Sequence, residues 1–525
     1  MSAWNVPAGP FDIPDVPRLI PRRLKPWLFI FFVLIIQFSG GVYLAAATQM
    51  ASAGAILQQD VLMAGYAQLI GMSINFCVMF RLKFRFSNRV SLLACCCVLV
   101  IANIICSITT NAPLLVLTCL VAGWFRMWAT FACNSTIQLW ITPKRDMAVF
   151  FCYVYLIVDG AIQLSGLTTV YIDFYSSWQY MHVLITAMLV LMIVMVLLLV
   201  KPVKGPMAIP LLGIDWIGAL LWTAFMTCFA FVCVYGSYYD WWAAAPIRFA
   251  TWLGLACLAL NLWRATFLRH PYISFSALLN GNVVRATGVY LVFNTLIAPE
   301  HVFEHGYAGE ILGYDSTNLI DLNWYVMAGI IVGVAISYEL FARQRRRYKT
   351  MAVVGFTFAI AYLMYFYFTI GEDISKEALA VPLFCRGAGS VIISIVFLTS
   401  IVQSGLPFKV FPQALTVNGF TGAVMGAVFG PAVVGRWLEC TLATNMSRLS
   451  ESVTSTSGAV GQSFPQIMES IVHRATIDSM KEIYGWLLII ALASLVILIV
   501  SYGTPRPRAI FPTWSRIRAI LHASN

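Results

Sequence analysis

Long apolar runs alternate with short polar gaps from one end of this chain to the other. Crossing a bilayer as a helix takes about 20 mostly apolar residues. Fourteen runs meet that length, at 27–49, 60–80, 90–110, 113–137, 147–171, 178–200, 216–236, 249–268, 284–303, 322–342, 350–370, 379–402, 413–437 and 483–503. The ninth is the least regular, with Arg285 at its start and Pro299-Glu300-His301 near its end. Most gaps are short, and three are not. The stretch 301–321 is rich in Gly, Tyr and acids and reads as an outer loop. The stretch 438–480, also outer, is Ser/Thr-rich and then helical in pattern from Gln466 to Met480. The link 201–215 carries Pro and Gly breakers and divides the chain after six runs. Two runs follow, then six more. The prediction is an all-α integral membrane protein of two six-helix bundles with an inserted helix pair, as in repeat-built transporters.

Basic residues sort these gaps into two sets. Arg18, Arg22, Arg23 and Lys25 precede the first run; Arg81, Lys83, Arg85 and Arg89 follow the second; Lys144 and Arg145 follow the fourth. Lys201/Lys204, Arg264/Arg269, the cluster from Arg343 to Lys349, Lys409 and Arg506 to Arg518 fill the later alternate gaps. The intervening gaps are close to neutral or acidic. Positive charge collects on the cytoplasmic side of spanning helices, so both termini are expected there. The expected parts are a cytoplasmic tail 1–26, a bundle 27–200, a cytoplasmic linker 201–215, the inserted pair 216–268, a second bundle 284–503 and a tail 504–525.

Composition agrees. The chain is 60% hydrophobic and 10% charged, with mean hydropathy +0.82; a soluble domain carries roughly 25% charged residues. The net charge of +11 sits in short clusters beside apolar runs and forms no continuous patch, which argues against nucleic acid as a partner. The first 26 residues are polar and Pro-rich, and no cleavable signal peptide is expected. Most of the thirteen Cys lie inside apolar runs and read as small hydrophobes. No CxxC pair or phosphate-binding loop appears, so no cofactor and no direct use of ATP are expected.

Ionisable groups at membrane depth are costly, which makes each a functional candidate. Asp159 sits mid-span in the fifth run and could carry a proton or face a cationic group. Arg126 sits in the middle of the fourth, with Asn134 near the same helical face. An Arg126–Asp159 pair is one arrangement; separate roles are another. Arg386 opens a small-residue stretch in the twelfth run, where Gly387 and Gly389 permit close helix approach. Gln37, Gln163, Asn75 and Asn294 suit either interhelical hydrogen bonds or a cavity wall. Asp60 and Tyr66 lie in the outer half of the second run. His182 reads as interfacial, near the outer end of the sixth. Asp215 reads as the N-cap of the seventh. Arg81, Arg89 and Arg145 are candidates for gating contacts. The string His301-Val302-Phe303-Glu304-His305 matches a five-residue zinc-protease pattern, but no third ligand accompanies it, and no metal site is assigned.

Four segments together resemble a known family. Thr142-Pro143-Lys144-Arg145-Asp146-Met147-Ala148 is similar to its turn after the fourth span, and Trp178-Gln179-Tyr180-Met181 to its entry into the sixth. Asp215-Trp216-Ile217-Gly218, with Trp241-Trp242, resembles the start of its extra helix pair. Arg386-Gly387-Ala388-Gly389 resembles its Arg-Gly-x-Gly. The family is the fourteen-spanner drug:proton antiporters of the major facilitator superfamily, of the EmrB/QacA type. The chain departs from it in the loop Arg81 to Arg89, which lacks the family's Gly-x-x-x-Asp signature, and at Ser165-Gly166, where its proline is missing. The resemblance implies proton-coupled export of amphipathic or lipophilic compounds, as in multidrug efflux, and no enzymatic activity. It also implies a bacterial inner membrane, a small-molecule substrate, protons, and work with a periplasmic adaptor and an outer-membrane channel. Two other classes stay open: a multi-spanning membrane enzyme with an outward-facing site at His301, Glu304 and His305, and a non-transporting derivative of the transporter fold.

Overall fold

In the computed structural model, the described residues are 15–17, 20–21, 23–40, 42–45, 47, 50–51, 56–143, 146–203, 210–211, 213–314, 316–342, 348–371, 374–407, 410–452 and 464–501. All their regular structure is helical. The first half contains α1 (Lys25–Phe38), α2 (Gln58–Asn75), α3 (Met79–Arg85), α4 (Asn88–Ile108), α5 (Ala112–Ile141), α6 (Met147–Tyr175) and α7 (Gln179–Leu199). Next come α8 (Trp216–Tyr235) and α9 (Ala245–Phe267), then α10 (Gly281–Ile297), α11 (Pro299–Gly306), α12 (Asn323–Ile336) and α13 (Tyr348–Thr369). The chain closes with α14 (Ala380–Val402), α15 (Phe411–Phe420), α16 (Gly430–Ser452) and α17 (Phe464–Ser501).

Among the described residues eleven helices are long and apolar enough to cross a membrane, and a twelfth if α2 and α3, bent by 63°, form one span. The expected first and ninth spans are the short ones. The first breaks after Phe38, before Gly40, and the ninth gives way at Pro299, which has no N–H to donate to the preceding turn. Polar residues at the gaps start the helices. Asn111 Oδ1 accepts from Leu114 N, Asp146 Oδ1 from Ala148 N and Asp215 Oδ1 from Gly218 N, each satisfying an otherwise orphaned donor. Pro26, Pro113, Pro246 and Pro412 occupy the first turns, where the missing N–H costs nothing.

Two expected loops are largely helical. Residues 299–311 continue as helix, held by Tyr307 Oη donating to Gly371 O at 2.6 Å. Most of 438–480 belongs to α16 and to α17, which runs for 38 residues. These two pack together, with Asn445 Nδ2 bonded to Ser479 Oγ at 2.9 Å. The helical pattern from Gln466 to Met480 falls within α17, the packing of α16 on it supplies the partner each extension needs, and the Ser/Thr-rich centre 453–463 lies outside the described residues.

The two halves repeat one contact. A methyl group at Gly71 would lie 2.0 Å from Leu120 O, and one at Gly123 would lie 1.9 Å from Gln68 O, so α2 and α5 touch backbone to backbone. In the second half, a methyl at Gly329 would lie 2.2 Å from Phe384 O and one at Gly387 would lie 2.4 Å from Val326 O, joining α12 and α14. In all four helices the glycine follows the contacted residue by three positions. Without water to drive apolar association, such close packing is what holds spanning helices together. The inserted pair α8 and α9 pack on each other, tied by Arg264 Nη2 to Asp215 Oδ1 at 2.9 Å. Tyr235 Oη, at the far end of α8, donates to Asp60 at the start of α2.

Candidate functional site

A cavity of about 210 Å³ lies where α6 meets the second half. Asp159, Ile162 and Gln163 come from α6. Tyr290, Phe293 and Asn294 come from α10, and Glu300 from α11. Arg386, Gly387, Ser390 and Ser394 come from α14, and Gly422 and Gly426 from the π-wound segment Thr421–Phe429. Those last two glycines let Tyr290 and Asn294 fill the space a side chain would take.

Three charged groups line this cavity. Arg386 Nη1 meets Glu300 Oε1 at 3.0 Å, with the arginine 5% exposed and the glutamate 28%. The Arg386 backbone is fixed by the Gly387–Val326 contact. Asp159 lines the same cavity, and among the described residues it makes no hydrogen bond or ion pair. A carboxylate in a low-dielectric space without a partner keeps its charge only at a large cost, so it seeks a proton or a cation. The floor of the cavity, toward the basic-loop end, is the ring of Tyr290, stacked on Phe397 at 4.2 Å. Beyond it Phe80 packs on Phe131 at 4.9 Å and on Phe411 at 5.8 Å. Cys77 Sγ meets Thr416 Oγ1 at 2.9 Å, and Tyr272 Oη donates to Ile74 O. The two halves therefore touch at the basic-loop end.

The structure brings Asp159, Gln163, Asn294 and Arg386 to this cavity and places the other described candidates elsewhere. Arg126 is 2% exposed. Its Nη2 donates to Gln37 O at 2.8 Å and to Gln37 Oε1 at 2.7 Å, while Gln37 Nε2 donates to Thr130 Oγ1. Among the described residues Arg126 and Asp159 do not pair. The guanidinium instead lies over Gly40, where a methyl group would sit 1.5 Å from Nη1. Asn134 is buried further along α5. Tyr66 is buried on α2, within electrostatic reach of Glu300, and Asp60 holds α8. His182 is buried rather than interfacial: its Nδ1 meets Asn103 Oδ1 at 3.0 Å, and Trp178 and Tyr43 cover its ring. Arg81 donates to Pro210 O and Arg89 to Leu197 O, each closing a neighbouring segment at the basic-loop end. Arg145, and the side chains of His301, Glu304 and His305, lie outside what is described.

Lys83 and the N-terminal tail form a second buried polar cluster. Lys83 Nζ donates to Asn88 Oδ1, Ala132 O and Thr136 Oγ1, and Asn88 donates to Asp15. Lys201 N donates to Asp15 O at 2.7 Å, so Asp15 is held between the start of α4 and the residues that follow α7.

Glu300 is the cavity residue the sequence reading missed. It falls near the ragged end of the ninth run and is not singled out there as a site residue. The available signal was an acid directly after Pro299 within an apolar stretch, which is costly unless it has a role.

No family model matches the chain, and no curated protein matches it. Solved structures do. The nucleoside transporter NupG aligns with a TM-score of 0.54 at 10% identity, covering 91% of this chain and 99% of that one. A peptide transporter POT in complex with alafosfalin aligns with a TM-score of 0.57 at 13% identity, covering 90% and 94%. An auto-inhibited POT family peptide transporter gives 0.55 at 12% identity, covering 94% and 99%. At these identities the likeness is one of fold. The chain is a multi-pass membrane protein with the major facilitator fold of such transporters.

Proposed function

We propose that this protein is a proton-coupled secondary transporter working by alternating access, with Asp159 as the group that binds and releases the proton. The observation that carries this is the Asp159 carboxylate, unpartnered among the described residues, lining a cavity between two halves that touch at one end. Rocking the halves would expose Asp159 to either side in turn. Protonation removes its charge, and so removes the main electrostatic cost of moving the site from one exposure to the other. The direction we infer is export across a bacterial cytoplasmic membrane with both termini inside, following the family resemblance and the basic loops. The protein is a carrier in this reading and not an enzyme.

The test is proton movement in proteoliposomes, driven by a panel of lipophilic cations, neutral drugs and amino acids, for wild type and Asp159→Asn. Compound-dependent proton flux that disappears in the variant is the expected result. Folded protein that moves no protons with any compound would overturn the proton-coupled reading.

A further inference from the structure

Resting on that reading, we infer that the cavity binds a compact zwitterion, with its carboxylate on Arg386 in place of Glu300 and its ammonium group on Asp159. The argument starts from which partner of the ion pair can move. Arg386 is 5% exposed, on a helix whose next residue, Gly387, is pressed against the Val326 backbone. Glu300 is 28% exposed and sits one residue past Pro299, at the break between α10 and the helical segment 299–311. The guanidinium is therefore the enclosed member of the pair and the carboxylate the one a ligand can displace. Glu300 occupies in the empty site the position a ligand carboxylate would take, keeping the buried cation paired until one arrives.

Charge and volume narrow the class. With all three groups ionised the site carries one net negative charge. A lone anion would put three negative charges against one guanidinium. A lone cation would satisfy Asp159 and leave the Arg386–Glu300 pair with no part in recognition. A zwitterion supplies an acceptor for Arg386 and a donor for Asp159 and the released Glu300, and adds no net charge. The cavity of about 210 Å³ has room for several water molecules or one small ligand. An amino acid with a single apolar or aromatic side chain fits that space, and Phe293 and Tyr290 offer it rings. Exchange of a zwitterion for one proton moves net charge across the membrane.

Phenylalanine, phenylalaninamide and 3-phenylpropionate differ only in which charges they carry, and they serve as probes. Binding is measured by calorimetry on the full chain in lipid nanodiscs. Wild type should bind phenylalanine at least about tenfold more tightly than either analogue, the scale expected from one lost charge-assisted contact. Arg386→Gln should reduce phenylalanine to the level of phenylalaninamide, and Glu300→Gln should tighten 3-phenylpropionate. Should Arg386→Gln not fold, the double variant Glu300→Gln/Arg386→Gln, which removes both charges of the ion pair together, reports the same loss. No binding of phenylalanine to wild type, equal binding of the amide, or phenylalanine affinity unchanged in the Arg386 variants would overturn the proposal. Arg386-dependent phenylalanine binding without proton flux would sink the transport reading and leave this site standing. Proton flux driven only by other compounds would do the reverse.

Discussion

Replacing Gly387 by alanine tests how helix packing positions the charged site. The new methyl would lie 2.4 Å from Val326 O and 3.1 Å from the carbonyl carbon, where ordinary contact begins at 3.4 Å. Both atoms are backbone, so no side chain can rotate away, and α14 must retreat from α12 by about 1 Å. Overpacking of this kind costs about 1–3 kcal/mol. The same retreat carries Arg386, one residue earlier, away from Glu300. A separation of 3.0 Å would grow to about 4 Å, past hydrogen-bonding distance. The control is Gly288→Ala, where the methyl meets nothing within 4 Å and helix propensity favours alanine by about 1 kcal/mol. Thermal unfolding of the two variants in detergent, beside substrate-driven proton flux in liposomes, makes the assay. Gly387→Ala should unfold at lower temperature than wild type and lose most of its flux, while Gly288→Ala should keep both. If Gly387→Ala matched Gly288→Ala in stability and flux, close helix contact would not be what holds Arg386 in place.

Two further expectations concern the buried clusters outside the cavity. Gln37→Leu removes the side-chain acceptor for Arg126 and should destabilise the fold by roughly 2–3 kcal/mol, whereas Gln37→Glu, which sets a carboxylate opposite the guanidinium, should hold the wild-type unfolding temperature; equal losses in both would show that Arg126 does not depend on this contact. In the N-terminal tail, burial holds the Asp15 carboxyl above the usual carboxylate range, opposed by the Asn88 hydrogen bond and the Lys83 charge. A raised folded value means that the contribution is full below the unfolded value of about 4 and is lost as pH rises through the folded one. Cleavage of the tail, normalised to the free tail peptide, should therefore be slower near pH 4 than at pH 7 in wild type and flat in Asp15→Asn; matching profiles would refute the assignment.

The sequence determined the frame of this protein because the bilayer reads composition one segment at a time. Apolar length decides what can span, basic residues bias which gaps face inward, and Asn111, Asp146 and Asp215 mark helix starts wherever those helices end up. Asp159 was legible for the same reason, since a carboxylate in the middle of an apolar run is conspicuous without any partner. Arg386 with Gly387 was legible as a close-packing stretch. Tertiary structure alone decided who meets whom. Arg126 faces Gln37 because the chain breaks near Gly40 and leaves room for a guanidinium there. Glu300 joins Arg386 because helix continues beyond Pro299 in a segment whose composition suggests a loop. Asp15 reaches Asn88, and Tyr235 reaches Asp60, across distances in sequence that no periodicity spans. A hydrophobic pattern fixes which residues leave water, but the pairing of the few charges left inside depends on the register in which helices touch. That register is set here by small residues such as Gly71, Gly123, Gly329 and Gly387, which work only in pairs of helices and so cannot be read from either one alone.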